Sequence, residues 1–567
     1  MKENAGSKIE TTFVKLGAWS LGGLLFVIFA VWGGHRYYRH WEQGRLEREA
    51  NAFFEKGDNR SAILTAQRAL QINPSNVAAC RILAEISERL NSRGAIDWRH
   101  RVVDLLPAVT AEKLAWARAA LRFNEPETAD LALGEIPQDQ RETAAYHDVA
   151  AQLALARTDL AGAQTQAHEA VRMDPANGTY RLHLAALQLQ SGDFREAEAG
   201  RQTLNELAQE ATLRVPALRA LIDDALRGFH EQHALELAQQ LRGLPEATFR
   251  DRLLYLHVLE KAKSPDFEAQ LDEVKSLGQN SPDNAADLIS WFTAENRAGA
   301  ALEWVAKLPP EMASKMPVPV ALSYAYLAAK DWSGLQSLVK NANWGDQDFL
   351  RLALLARALR EQGDEAGFST QWANAMKKAA KGEQAMPLSQ TLFDWGWKDE
   401  ALDLLWRVND NPAVEERVLR ALSAYYLKTN DTSGLYRVAL HLNQLHPADT
   451  DIANNVAQLS LLLNLDVLRG QKMARDLYEK NRANPAYVST YAFSLFLNGE
   501  IPQALQVMGG LTAAQLQDPA VAAYYGIILA AAGEKDRARP FLDRGSQANL
   551  LPEERELIAR ARRSVGS

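Results

Sequence analysis

Few side chains in this 567-residue chain stand at spacings that could do chemistry. In "HEQH", residues 230–233, His230 and His233 sit about one helical turn apart, where two imidazoles can reach one metal ion. No third ligand is identifiable, and the same pair suits the polar face of a surface helix. Cys80 is the only cysteine, which excludes an internal disulfide and a multi-thiolate metal site. Its place in an apolar helical stretch suits a buried small hydrophobe better than a nucleophile. Acidic pairs such as Glu553 and Glu554 fall at helix starts, where they answer the macrodipole. There is no phosphate-cradling glycine loop, no H-E-x-x-H and no G-x-S-x-G nucleophile elbow. The expectation is no catalytic residues, no metal, no cofactor and no enzyme activity.

The elements around these residues must explain the chain instead. A length of 567 residues exceeds one ordinary core, so several domains or a repeat array is expected. Charged residues make up 24% and hydrophobic residues 47%, a globular composition. A net charge of -8 lacks the basic footprint of a nucleic-acid protein.

Residues 16–34, "LGAWSLGGLLFVIFAVWGG", carry no charge. As a helix they span roughly 28 Å, close to the hydrocarbon core of a bilayer. A short polar tail, 1–15, precedes them, and the aromatic and basic segment 35–42 follows, with side chains suited to an interface. A cleaved signal peptide is the competing reading. The stretch is longer than the usual apolar region of a signal and no A-x-A-like site follows, so a single-pass anchor is expected. Lys2, Lys8 and Lys15 on one side nearly balance Arg36, Arg39, Arg45 and Arg48 on the other. The lysine-bearing tail favours an extracytoplasmic bulk. Ala18 and Gly22 form a small-x-x-x-small pair of the kind that joins membrane helices, leaving a homo-oligomer open.

A ladder of small residues then recurs. In "GDNRSAILTAQRALQINP" Ala62, Ala69 and Pro74 follow Gly57 by five, twelve and seventeen residues. In "TDLAGAQTQAHEAVRMDP" Ala163, Ala170 and Pro175 follow Thr158 at the same offsets. Gly192, Asp193 and Ala197 come 34 residues after Thr158, Asp159 and Ala163. Gly533 and Ala538 likewise come 34 residues after Gly499 and Ala504, and another copy runs from Asn430 through Leu435 to Pro447. The physics suits a helical hairpin. A left-handed residue closes the first helix, alanines admit a second helix closely, and proline stops it. Larger apolar residues such as Leu422, Tyr426 and Tyr525 belong to first helices.

With this period and these residue types, the chain resembles the tetratricopeptide (TPR) family over most of residues 43–552, as a bacterial-type membrane-anchored TPR protein. The resemblance implies an all-α fold, a TPR-like α-solenoid, behind one N-terminal transmembrane helix. Residues 112–140 and 205–280 fit the ladder poorly but keep helical spacing and read as diverged hairpins. Two Ser-Pro-Asp turns within 261–288 mark a break between sub-arrays at 43–265 and 280–560.

The family typically binds peptides or partner proteins on a concave surface of first helices. The carboxylate clamp of one subset needs a lysine where this chain has Glu47 and Asn51, which puts that partner class in doubt. "DIANNVAQL", residues 451–459, is similar to the Asn-Asn first helices of bacterial TPR units. It makes Asn454, Asn455 and Gln458 the candidate partner-binding residues, with capping or solvation of the helix as the alternative. Eight tryptophans between residues 290 and 410 either fill gaps between helices or line an aromatic groove. The function implied is a membrane-anchored scaffold or adaptor for protein or peptide partners in envelope assembly or export. It would sit in a bacterial-type inner membrane, holding the bilayer through residues 16–34, without nucleic acid. The alternative is a substrate-positioning or regulatory subunit of a membrane-associated enzyme complex.

Overall fold

The computed structural model describes residues 41–90, 92–380, 384–409, 411 and 414–566. The tail 1–15, the apolar stretch 16–34 and residues 35–40 lie outside them. Among the described residues every regular element is a helix, and no helix is long and apolar enough to cross a membrane.

The helices follow one another as helix-turn-helix pairs. In the first unit, which ends at Val274, Ala144–Ala156 pairs with Leu160–Met173 and Gly178–Gln188 with Phe194–Leu207. The divergent stretches are hairpins too, Thr110–Arg122 with Pro126–Gly134 and Arg214–Arg227 with Glu231–Arg242. The second unit starts at Lys275, so the division falls inside the helix Phe267–Gly278, between the two Ser-Pro-Asp turns of the stretch 261–288. It continues through hairpins such as Glu415–Thr429 with Thr432–Leu445 and Pro485–Leu497 with Ile501–Met508, and ends with the single helix Pro552–Gly566.

The turn chemistry repeats because the backbone demands it. Gly57, Thr158, Asn430, Gly499 and Gly533 all have positive φ, the left-handed form that closes a first helix. The next residue is often an aspartate whose carboxylate caps the second helix, as Asp58 accepts from Ser61 N and Asp159 from Gly162 N. Gly192 departs from the pattern and has no positive φ. Its first helix already stops at Gln188, so the longer connection turns without a left-handed residue. Pro74, Pro175 and Pro447 each stand two residues beyond the end of a second helix.

The alanines of the ladder lie where helices touch. Ala62, Ala69, Ala163, Ala504 and Ala538 have 0% of their surface exposed, and Ala170 has 1%. Cys80 has none of its surface exposed, and burial pushes its thiol pKa up, which suits the packing role. A larger side chain at an alanine position must force helices apart. Ala163→Leu and Ala504→Leu are therefore expected to cost about 1–3 kcal/mol each. Ala161→Leu, on the exposed side of the same helix as Ala163, should cost far less. Melting temperatures that fall equally in all three variants would contradict the packing.

First helices of neighbouring hairpins are also tied by polar pairs. Arg81 donates to Glu112 at 3.0 Å, Arg219 to Asp251 at 2.7 Å, and His183 Nδ1 lies 2.6 Å from Asp148 Oδ1. In the second unit the Tyr487 hydroxyl donates to Asp451 at 2.6 Å. Asp148 and Asp251 are buried, so each depends on its partner.

One stretch occurs nearly twice, "LSYAYLAAKDWSGL" at 322–335 and "LSAYYLKTNDTSGL" at 422–435. Both copies place a left-handed residue, Lys330 or Asn430, before a capping aspartate that accepts from Gly334 N or Gly434 N at 2.8 Å. In both, a Cβ on the glycine would run into a tyrosine ring, Tyr326 or Tyr426. Glycine is there to let the ring approach the second helix this closely.

Candidate functional site

The helix Thr450–Leu462 carries all three candidate residues and separates them. Adjacent residues on a helix point about 100° apart, so Asn454 and Asn455 cannot share a face, whereas Asn455 and Gln458 can. Asn455 is exposed and Gln458 half-buried. Asn454 is only 4% exposed, and its Oδ1 is buried without a hydrogen-bond partner. It packs between helices and does not face the groove, so grouping the two asparagines by adjacency fails.

Asn455 and Gln458 line a cavity of about 460 Å³ within the second unit. Ile452 and Leu459 extend the same face of the helix, and Ser423, Ala439 and Leu551 close other sides. The lining is mostly apolar with a few polar groups, the usual make-up of a recognition site. Among them, Gln458 Nε2 donates to Tyr524 OH at 2.8 Å and to Glu554 Oε1 at 3.1 Å. Tyr524 OH also donates to Glu554, whose other oxygen accepts from Leu551 N at 2.8 Å. Burial, then the neighbouring Glu554 charge, pushes the Tyr524 phenol well above its ordinary pKa. Each oxygen of the buried Glu554 carboxylate therefore has a donor.

Tyr524 and Glu554 were missed as site residues from sequence. Glu554 lies in the first turn of Pro552–Gly566, as the helix-dipole reading requires, but it also joins the groove. No local spacing signals a partner 96 residues away.

The tryptophans divide by burial. Trp291, Trp304 and Trp344 are at most 9% exposed and belong to the interior. Trp372, Trp395, Trp397 and Trp406 are half-buried against one apolar core. The Arg357 guanidinium lies 4.7 Å from the Trp395 ring centre and 6.0 Å from those of Trp332 and Trp397, and burial lowers its pKa from the ordinary guanidinium value. Arg360 lies 4.8 Å from the Trp397 ring centre and pairs with Glu400 at 2.8 Å. Rings that meet edge-to-face, Trp397 with Phe368, Trp372 and Trp395, and that lie against arginines fill the space here, which is the gap-filling reading.

His230 precedes the helix Glu231–Arg242 and His233 lies in its first turn, both exposed. The nearest acidic contact is Glu236, 3.6 Å from His233. Among the described residues no group of three or more histidine, cysteine, aspartate or glutamate side chains is placed to hold a metal ion.

These hairpins and this groove define the class, a TPR-like helix-turn-helix solenoid. No protein-family profile matches the chain, and no curated protein matches it. Among solved structures, Pseudomonas aeruginosa PilF is 18% identical and covers 39% of this chain and 99% of its own, with a TM-score of 0.31. The APC/C hetero-tetramer Cut9–Hcn1 is 12% identical over 88% of this chain and 96% of that one, with a TM-score of 0.27. The fold assignment rests on the chain's own repeat geometry.

Proposed function

We propose that the protein is a membrane-tethered scaffold that holds a protein partner in the groove at Asn455 and catalyses nothing. The observation that carries this reading is the cavity of about 460 Å³, mostly apolar with a few polar groups such as Asn455 and Gln458, on an array of helical hairpins. The uncharged stretch 16–34 would supply the tether, with the hairpins on the extracytoplasmic side of a bacterial-type inner membrane and a role in envelope assembly or export.

The test is site-specific photo-crosslinking in native membranes. A crosslinker at Asn455 should capture a protein that one at Phe229, 81% exposed in the first unit, does not. Ile452→Arg, on the same face of the helix, should abolish that capture with unchanged helix content, and His230→Ala with His233→Ala should leave it intact. Release of the full chain by carbonate washing would remove the tether. Capture insensitive to Ile452→Arg would remove the groove, and substrate turnover by the purified chain would overturn the scaffold.

A further inference from the structure

The end of the chain lies where a ligand of the groove would lie. The last hairpin pairs Pro519–Ala531 with Lys535–Gly545, and Pro552–Gly566 follows. The later part of this final helix covers that hairpin in the ordinary way of a solenoid cap. Ile558, Ala561 and Val565 enter its core, Arg539 donates to Val565 O at 3.3 Å, and Arg562 donates to Asp543 at 2.6 Å. Its first turn makes different contacts. Thr432 donates to Glu553, and Arg555 donates to Asn430 Oδ1 at 2.7 Å, so two intervening hairpins are bridged. Glu554 takes up Gln458, and Leu551 packs on Ala439, Val456 and Leu459. A cap for the last hairpin needs none of these contacts, which span up to 125 residues of sequence.

The fit beneath this first turn is loose. The cavity of about 460 Å³ remains between residues 550–554 and the helix Thr450–Leu462, so apolar atoms on both sides forgo dispersion contacts. Arg555 and Asn430, at the edge, are exposed to competing water. The floor of the groove therefore holds its own strap by a few polar contacts rather than by a filled interface.

Resting on the reading of this groove as the partner site, we propose that the first turn of the final helix is its built-in occupant. What displaces it is a partner α-helix of the same chemistry, with a leucine just before its start and an acidic pair in its first turn, as Leu551 precedes Glu553 and Glu554. Thr432, Gln458 and Tyr524 are the donors that read the acidic pair. Opening the strap uncovers Gln458 and the apolar floor, so partner binding is limited by an intramolecular competitor.

The experiment uses the full chain and a fluorescent synthetic peptide with the sequence of residues 548–566. Glu553→Ala with Arg555→Ala removes the bridging contacts and leaves the Ile558, Ala561 and Val565 packing alone. The peptide should bind this variant about tenfold or more tightly than the parent. A peptide carrying Gln in place of both acids should not bind. Equal affinity for parent and variant, or equal binding of the neutral peptide, overturns the proposal. Hydrogen exchange on the parent decides it without a variant. Amides of residues 555–558, the first that are bonded to the preceding turn, should exchange well before those in the interior of Pro519–Ala531, and release of both segments only by global unfolding overturns the strap. Photo-capture at Asn455 that is unchanged by the strap substitutions sinks the strap and leaves the scaffold standing. If no partner is captured the scaffold falls, while the peptide titration still decides the strap.

Discussion

Replacing Asp348 by alanine is expected to destabilise the second unit by about 3–5 kcal/mol, the cost of stranding a buried charge. Asp348 opens the helix Asp348–Glu361, where the helix dipole already favours a carboxylate. Arg351 donates to both its oxygens, Lys378 Nζ lies 2.9 Å away, and Arg351 also donates to Val339 O at 2.8 Å. The side chains of Asp348 and Arg351 are only 11% and 10% exposed. The Arg351 hydrogen bonds chiefly hold the Asp348 carboxyl well below the usual carboxylate range, outweighing the opposite pull of burial.

The sign of the pH dependence follows. The folded pKa is depressed, so the stabilisation is fully present above the unfolded value of about 3.9 and is lost as pH falls through the folded value. Asp348→Asn cannot titrate there. The stability difference between parent and Asp348→Asn should stay flat from about pH 7 to 5 and shrink below about pH 4. Urea unfolding followed by tryptophan fluorescence suits the test, because eight of the thirteen tryptophans lie between residues 290 and 410. A loss under about 1 kcal/mol for Asp348→Ala, or a difference constant down to about pH 3, would contradict the ion-pair account.

Hairpins were legible in the sequence because their signals are local. A left-handed residue at Asn430, a capping aspartate at Asp431 and a proline at Pro447 each answer a backbone requirement within a few residues. The buried alanines are legible for a related reason, since close helix contact leaves room for little else. Local reading failed where the helical period or distant chain decides. Asn454 sits beside Asn455 in sequence but turns into the helix packing. Glu554 looks like any first-turn acid until the fold brings Gln458 and Tyr524 to it. Gly192 shows the reverse limit: the residue type permits a left-handed turn, and an early helix end makes it unnecessary. The twin stretches at 322–335 and 422–435 were open to direct comparison, yet the reason for their shared glycine appears only when the tyrosine ring is in place.

The same substitution should have opposite signs at two glycines of the second unit. Gly299 lies in the first turn of Ala298–Val305, exposed, and a Cβ there meets nothing within 4 Å. Gly299→Ala removes backbone freedom from the unfolded chain without touching the fold and should stabilise by up to about 1 kcal/mol. Gly545 closes the second helix of the last hairpin, and a Cβ there would stand 2.5 Å from Ala523 Cα and 2.7 Å from Ala523 N. Those atoms are backbone and cannot rotate away, so Gly545→Ala must push the two helices apart. The expected cost is about 1–3 kcal/mol, against the gain in helix propensity that alanine brings elsewhere. Because Pro552–Gly566 packs on that same hairpin through Ile558 and Val565, the displacement should also raise hydrogen exchange in the final helix. Denaturation midpoints that rise for both variants would show that the helices at Ala523 are not in the close contact that demands glycine.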